Sequence, residues 1–134
     1  MKIMMAVAAF ALATGNLEAK PQANPQPKTG TLIVFRQWHL TSFGARLPFY
    51  VNGQLAAKLT NGYYSKLELP EGDYVLTHMR TIAGRDPQKI HVTAGQTLYF
   101  RNEVTSISYV FEVAEDQNEA RERVSHLKQQ TNQK

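Results

Sequence analysis

Four histidines, His39, His78, His91 and His126, and no cysteine are present in the 134 residues. Any transition-metal site would therefore be built from imidazoles and carboxylates. His78 and His91 fall on two predicted strands joined by a short connection. With Met79 opposite Ile90, both imidazoles share one face. With Tyr74 and Leu76 turned inward, His78 is buried instead. Neither arrangement brings a third ligand at a telling spacing, so no metal and no cofactor is expected. The five serines, Ser42, Ser65, Ser106, Ser108 and Ser125, include none in a Gly-x-Ser-x-Gly elbow. Glu68 and Glu71 form a carboxylate pair, but glycoside hydrolysis needs two carboxylates across a cleft, and a strand-edge and a turn glutamate are ordinarily solvated. The expectation is a protein that is not an enzyme.

Binding chemistry has one better candidate. Between residues 37 and 46 the chain places Trp38, His39, Phe43 and Arg46 in a segment with turn character. Aromatic rings beside a guanidinium are the composition that interface centres favour, and aromatic rings also stack on sugars. The opposing reading is that Trp38 and Phe43 fold back and cap the end of a core. Tyr63 and Tyr64 carry the same ambiguity.

These residues need a scaffold, and the punctuation of the chain supplies it. "VNGQLAAKLTNGYYSKLELPEGDYVL", residues 51–76, holds three turn signals: Asn52-Gly53, Asn61-Gly62 and Pro70-Glu71-Gly72-Asp73. An Asn-Gly pair accepts positive φ at both central turn positions, as a tight hairpin requires. Between the turns lie short β-branched and aromatic runs, "TLIVFRQW", "LPFYV", "QLAAKL", "YYSKLEL" and "YVLTHMRT", followed by "KIHVTA", "TLYFRNEV" and "SISYVFEV". Short strands at this spacing predict a mainly β fold, a small antiparallel β-sandwich of seven to eight strands. The run at 32–35 is apolar without alternation, so its strand is expected to be central and covered on both faces.

The β pattern stops at Val113. Residues 114–134 read as a C-terminal helix and tail, with Asp116 and Glu119 placed for a capping box and Glu119 and Arg123 for an i,i+4 pair. Its apolar stripe is thin, comprising Ala120, Val124 and Leu127. The expectation is a weak hold on the core, such that removing residues 115–134 leaves a folded β domain.

The N-terminus reads as a secretory signal over residues 1–19. Lys2 precedes an apolar run from Ile3 to Ala13, too short for a hydrocarbon core of about 30 Å, and Gly15 and Ala19 are small residues suited to cleavage. Residues 20–30, "KPQANPQPKTG", contain three prolines and no large apolar side chain, the composition of an extended linker. The folded domain is expected over 31–113, with no stable membrane span after cleavage and a periplasmic or secreted location. A net charge of +4 with no basic run argues against a nucleic-acid partner.

"FYVNGQLAAKL", "LPEGDYVL" and "IHVTAGQTLYF", in that order, resemble the PEGA-type β-sandwich modules of bacterial envelope proteins. They are also similar to a related family of small exported or lipoprotein-type bacterial domains of unknown function. "IVFRQW" resembles that family's opening strand at Phe35-Arg36. The resemblance spans about residues 31–113 and rests on turn-forming motifs. Asp73 stands where PEGA modules have alanine, and the cysteine used for lipidation is missing. The resemblance implies a fold and an envelope location, with no catalytic residues to carry over. The expected function is a non-catalytic envelope module that binds another macromolecule, an envelope protein or a cell-wall polysaccharide. The alternatives are a carbohydrate- or peptidoglycan-binding domain and a small hydrolase or enzyme inhibitor.

Overall fold

The computed structural model describes residues 28–40, 44, 46–78, 87–105 and 108–131. The expected signal segment, residues 20–27 of the linker, and Phe43 lie outside the described residues. Two sheets face each other. One contains β1 (Thr29–Phe35), β4 (Tyr63–Pro70), β7 (Thr97–Val104), β8 (Tyr109–Val113) and a two-residue β9 (Lys128–Gln129), in the order β8-β7-β1-β4-β9. The other contains β2 (Leu47–Val51), β3 (Gln54–Leu59), β5 (Gly72–Thr77) and β6 (Gln88–Val92), in the order β3-β2-β5-β6. The helix, α1, spans Gln117–Ser125.

The predicted sandwich is present, with one change of character. Most pairs are antiparallel, but β1 runs parallel to β7 and β4 parallel to β9. The larger sheet is therefore mixed. The reason lies in the turns. Asn52-Gly53 closes a true hairpin between β2 and β3, with φ of 50° and 83° as a primed turn requires. The next two turns are not hairpins. Asn61-Gly62 carries the chain from β3 in one sheet to β4 in the other, and Glu71 carries it back to β5. At Asn61-Gly62 only the glycine has positive φ, and Tyr63 N donates to Thr60 O at 3.1 Å. That is the demand of a type II turn, not a primed one.

β1 starts at Thr29, two residues before the expected domain boundary. Gly30, read as part of the linker, is buried in the strand. A Cβ there would stand 2.3 Å from the Thr93 carbonyl oxygen, so glycine lets the β6–β7 turn pack directly on β1.

β1 is central and covered on both faces, as its unbroken apolar run demands. Leu32 and Val34 point between the sheets and join Phe49, Leu59, Leu76, Ile90, Phe100 and Phe111. Ile33 and Phe35 point the other way and join Tyr99, Ala114, Ala120 and Val124. The second group is closed by α1, which corrects the expectation of a loosely held helix. Asp116 caps α1 by accepting from Asn118 N and Glu119 N, both at 3.0 Å, and Arg123 pairs with Glu119. Gln117 ties the helix start to β7: its Oε1 accepts from Tyr99 N at 2.8 Å and its Nε2 donates to Tyr99 O at 3.0 Å.

The helix also ends earlier than expected. After Ser125 the chain turns, Leu127 packs beside Val124 against the sheet, and β9 forms. Lys128 N donates to Gly62 O and Gln130 N to Tyr64 O. The edge of β4 offers unpaired backbone groups, and "KQQT" gains more by joining it than by adding another turn of solvent-exposed helix.

Candidate functional site

β1, β3, β5 and β7 all finish at one end of the sandwich. The connections that follow these four strands therefore leave from that end, and the described part of the first of them, with the Thr60–Gly62 turn, lies there. The predicted binding segment is the first of them.

The floor beneath these connections is polar. Arg36, 1% exposed, follows Val34 on the inner face of β1 and donates from Nη1 to Leu59 O at 2.9 Å, linking the two sheets. Tyr109 donates to Asn102 Oδ1 at 2.5 Å, while Asn102 Nδ2 is buried without a hydrogen-bond partner. His78 stacks on Tyr109 at 4.7 Å and meets Phe111 edge-on at 5.1 Å. Burial pushes the Tyr109 phenol up to about 12, the Arg36 charge drawing it back, and burial lowers the Arg36 guanidinium from its usual value. A phenol held neutral over this range is no base near neutrality. The floor closes this end of the sandwich.

The histidine pair considered above is not formed. The β5–β6 register sets Tyr74 opposite Ile90 and Asp73 opposite His91. His91 Nδ1 lies 2.8 Å from Asp73 Oδ1 on the solvent face, whereas His78 is turned between the sheets. Among the described residues no group of three or more side chains is placed to hold a metal ion. Of the carboxylates considered, Glu68 accepts from Thr31 Oγ1 at 2.9 Å and Glu71 is exposed in the turn.

The loop itself is braced from below and from the side. Gln37 N donates to Glu103 Oε1 at 3.3 Å, and Arg123 Nη1 donates to Gln37 Oε1 at 2.7 Å, so α1 holds the start of the loop. Asn61 clamps the next peptide unit: its Oδ1 accepts from His39 N at 2.9 Å and its Nδ2 donates to His39 O at 2.8 Å. Trp38 lies across the β3–β4 turn, and a Cβ at Gly62 would sit 3.4 Å from Trp38 Cβ and Cδ1. Its indole does not cap the core. Trp38 is 59% exposed and Leu40 67% exposed.

The structure thus gathers three of the predicted residues around the Thr60–Tyr63 turn. Trp38 presents its ring outward. His39 is half-buried, with Nε2 enclosed and unpartnered, and offers its backbone to Asn61. Arg46 is exposed on the rim of a hollow of about 300 Å³ formed with Thr60, Tyr63 and Gln130. Phe43 lies outside the described residues. Of the bracing residues, Gln37 was not singled out by sequence, and Arg123 was named only for its i,i+4 pair with Glu119. Asn61 was legible only as a turn former, since nothing local marks a side chain that bonds a peptide 22 positions away.

The sequence matches no protein-family model and no curated protein. Among solved structures, the chain has a likeness to GBS52, the minor pilin of Streptococcus agalactiae. The two share 16% identity over 57% of this chain and 44% of that one, with a TM-score of 0.37. A likeness this slight carries no functional argument.

Proposed function

We propose that this chain is a non-catalytic, exported module of the bacterial envelope that binds another macromolecule through the loop end of the sandwich. The observation that carries the reading is the Trp38–Leu40 pair, two large apolar side chains exposed on a loop whose backbone is fixed by Asn61 and Gln37. A pre-ordered loop loses little freedom on binding, so its apolar area is available for affinity. Export is supported by the Lys2–Ala19 pattern, and the envelope by the PEGA-like turn motifs. An envelope protein is the favoured partner. The flat indole over Gly62 also suits the face of a sugar ring, which supports a peptidoglycan-binding reading as the alternative.

One experiment addresses both. The purified chain and its Trp38→Ala/Leu40→Ala variant are tested for cross-linked capture from the native envelope fraction and for co-sedimentation with insoluble peptidoglycan. Loss of a discrete protein adduct in the variant, at unchanged Tm, supports a protein partner. Loss of sedimentation supports the polysaccharide. Equal behaviour of the two chains in both assays would remove the loop from the function.

A further inference from the structure

The turn that braces the Trp38 loop is itself held from its outer side by residues 128–131. Lys128 and Gln129 pair in parallel with Tyr63 and Tyr64. Lys128 N donates to Gly62 O at 3.3 Å, and Gln130 N donates to Tyr64 O at 2.7 Å. The Gln130 side chain reaches past the turn. Its Oε1 accepts from Thr60 N at 2.8 Å and its Nε2 donates to Lys58 O. These bonds fall at Lys58, Thr60, Gly62 and Tyr64, every second residue through the link between β3 and β4. One side-chain amide thus stands in for a strand peptide and ties the end of one sheet to the start of the other. From the β1 side the same turn is held by Arg36 N, which donates to Tyr63 O at 3.0 Å, and within itself by Tyr63 N on Thr60 O at 3.1 Å.

We propose that residues 128–131 act as a strap that fixes how Trp38 is presented, with Gln130 as its positioning residue, and that undocking of the strap releases the binding loop. The path from one to the other is short. Gly62 meets the strap through its carbonyl and meets Trp38 at its Cα, where a Cβ would stand 3.4 Å from the indole. Asn61, beside it, holds both the N–H and the C=O of His39. With the strap docked, Thr60 N, Gly62 O and Tyr64 O are bonded and the turn has one geometry. With it undocked these groups turn to water, and the peptide that Asn61 clamps moves with them. The strap is built to open by itself. Its strand pairs at two residues only, Lys128, Gln129 and Thr131 are exposed, and Gln130 is half-buried. A segment with so little buried surface opens without unfolding the sheets behind it. A loop that must be re-ordered binds less well, in proportion to the fraction of chains with the strap docked. The inference rests on the reading of the Trp38–Leu40 loop as the binding surface, and names what regulates it.

The test uses the full chain with Gln130→Ala, with Gln130→Pro, which also removes the N–H bonded to Tyr64 O, and with Thr131→Ala as an exposed control. Amide hydrogen exchange is read residue by residue, together with the fluorescence anisotropy of Trp38, the sole tryptophan. Gln130→Ala should speed exchange at Thr60 and also at His39, which Gln130 does not touch, by roughly tenfold or more. Trp38 anisotropy should fall, and Gln130→Pro should go further in the same direction. Val34 and Phe100, paired at the centre of the larger sheet, should exchange as in the parent, and Thr131→Ala should change nothing. Faster exchange at Thr60 with His39 and Trp38 unaltered overturns the proposal, since the strap would then hold only its own edge. Equal acceleration at Val34 and Phe100 also overturns it, since Gln130 would then serve global stability alone. The envelope capture assay separates this inference from the one beneath it. A smaller cross-linked adduct in Gln130→Ala supports both. The expected changes at His39 and Trp38 with an undiminished adduct keep the strap and remove the loop from binding.

Discussion

Val124→Ala tests how α1 is held. Val124 is 7% exposed and lies against Ile33, Phe35 and Tyr99 on the outer face of the larger sheet. Removing its two methyl carbons costs about 0.8 kcal/mol for each carbon buried, with a further share for any cavity that does not collapse. Alanine is the better helix former, by roughly 0.5 kcal/mol, and this acts in the opposite direction. The packed helix therefore predicts a net loss of about 1–2 kcal/mol. A helix lying loosely on the surface predicts the reverse, a gain of a few tenths, because only the propensity term survives. The sign separates the two. Urea denaturation followed by circular dichroism reads it directly: with m of about 1–3 kcal/mol/M, the midpoint should fall by roughly 1 M. Glu122→Ala, exposed on the same helix, serves as the control and should change stability by less than about 0.5 kcal/mol. A midpoint for Val124→Ala equal to or above that of the parent would refute the claim that α1 closes a second core.

Gly53→Val forces a β-branched residue to a φ of 83° and should lower stability by about 1–3 kcal/mol, read as a shifted denaturation midpoint with m unchanged. Asn61→Ala leaves the His39 N–H and C=O without their partners and should cost about 1–3 kcal/mol, with a changed Trp38 emission spectrum in the native state. Tyr109 is expected to ionise only at strongly alkaline pH in an absorbance titration, because burial disfavours its phenolate. Its folded pKa of about 12 exceeds the ordinary value of 10.0, so the folded chain holds this proton more tightly than the unfolded chain. Stability from this group is fully present below about pH 10 and is lost as pH rises through about 12. Tyr109→Phe should remove the absorbance step near pH 12. Indole exposure predicts ready quenching of Trp38 by a small soluble quencher such as iodide; a shielded signal would return the loop to a packing role.

The strands were legible because the chain is punctuated where they end. Asn52-Gly53 and Asp116 announced a hairpin and a cap through local chemistry alone. Sheet membership was not legible, because Asn61-Gly62 and Pro70-Glu71-Gly72 have hairpin composition but join strands of different sheets. The same gap misplaced His78 and His91: a register is set by what the two faces bury, and Tyr74 and Leu76 inward was only one of two readings. The hold of α1 was underestimated from its three apolar side chains. The missing information stood in the first strand, where "LIVF" shows no polar face. A strand apolar on both sides requires two covering layers, and α1 is the element left to supply the second. In the site, exposed Trp38 was a candidate from its residue type, while the brace at Asn61 depends on a long-range contact that no local pattern announces.

The position of β1 at the centre of its sheet has a consequence for the order of events in folding. Its neighbours are β4 and β7, with Leu32 beside Leu67 on one side and Leu98 on the other. A chain that emerges from a ribosome or a membrane pore N-terminus first delivers β1 long before β7 exists to meet it. The β2–β3 hairpin can close on its own within microseconds, but the larger sheet must wait for a partner far along the chain, and such non-local pairing is slow. During that interval the apolar run Leu32–Phe35 is uncovered on both faces and exposed to other chains. The strand that anchors the finished sandwich is therefore the segment that most needs a chaperone, or a late release from its conduit, while the sandwich is being made.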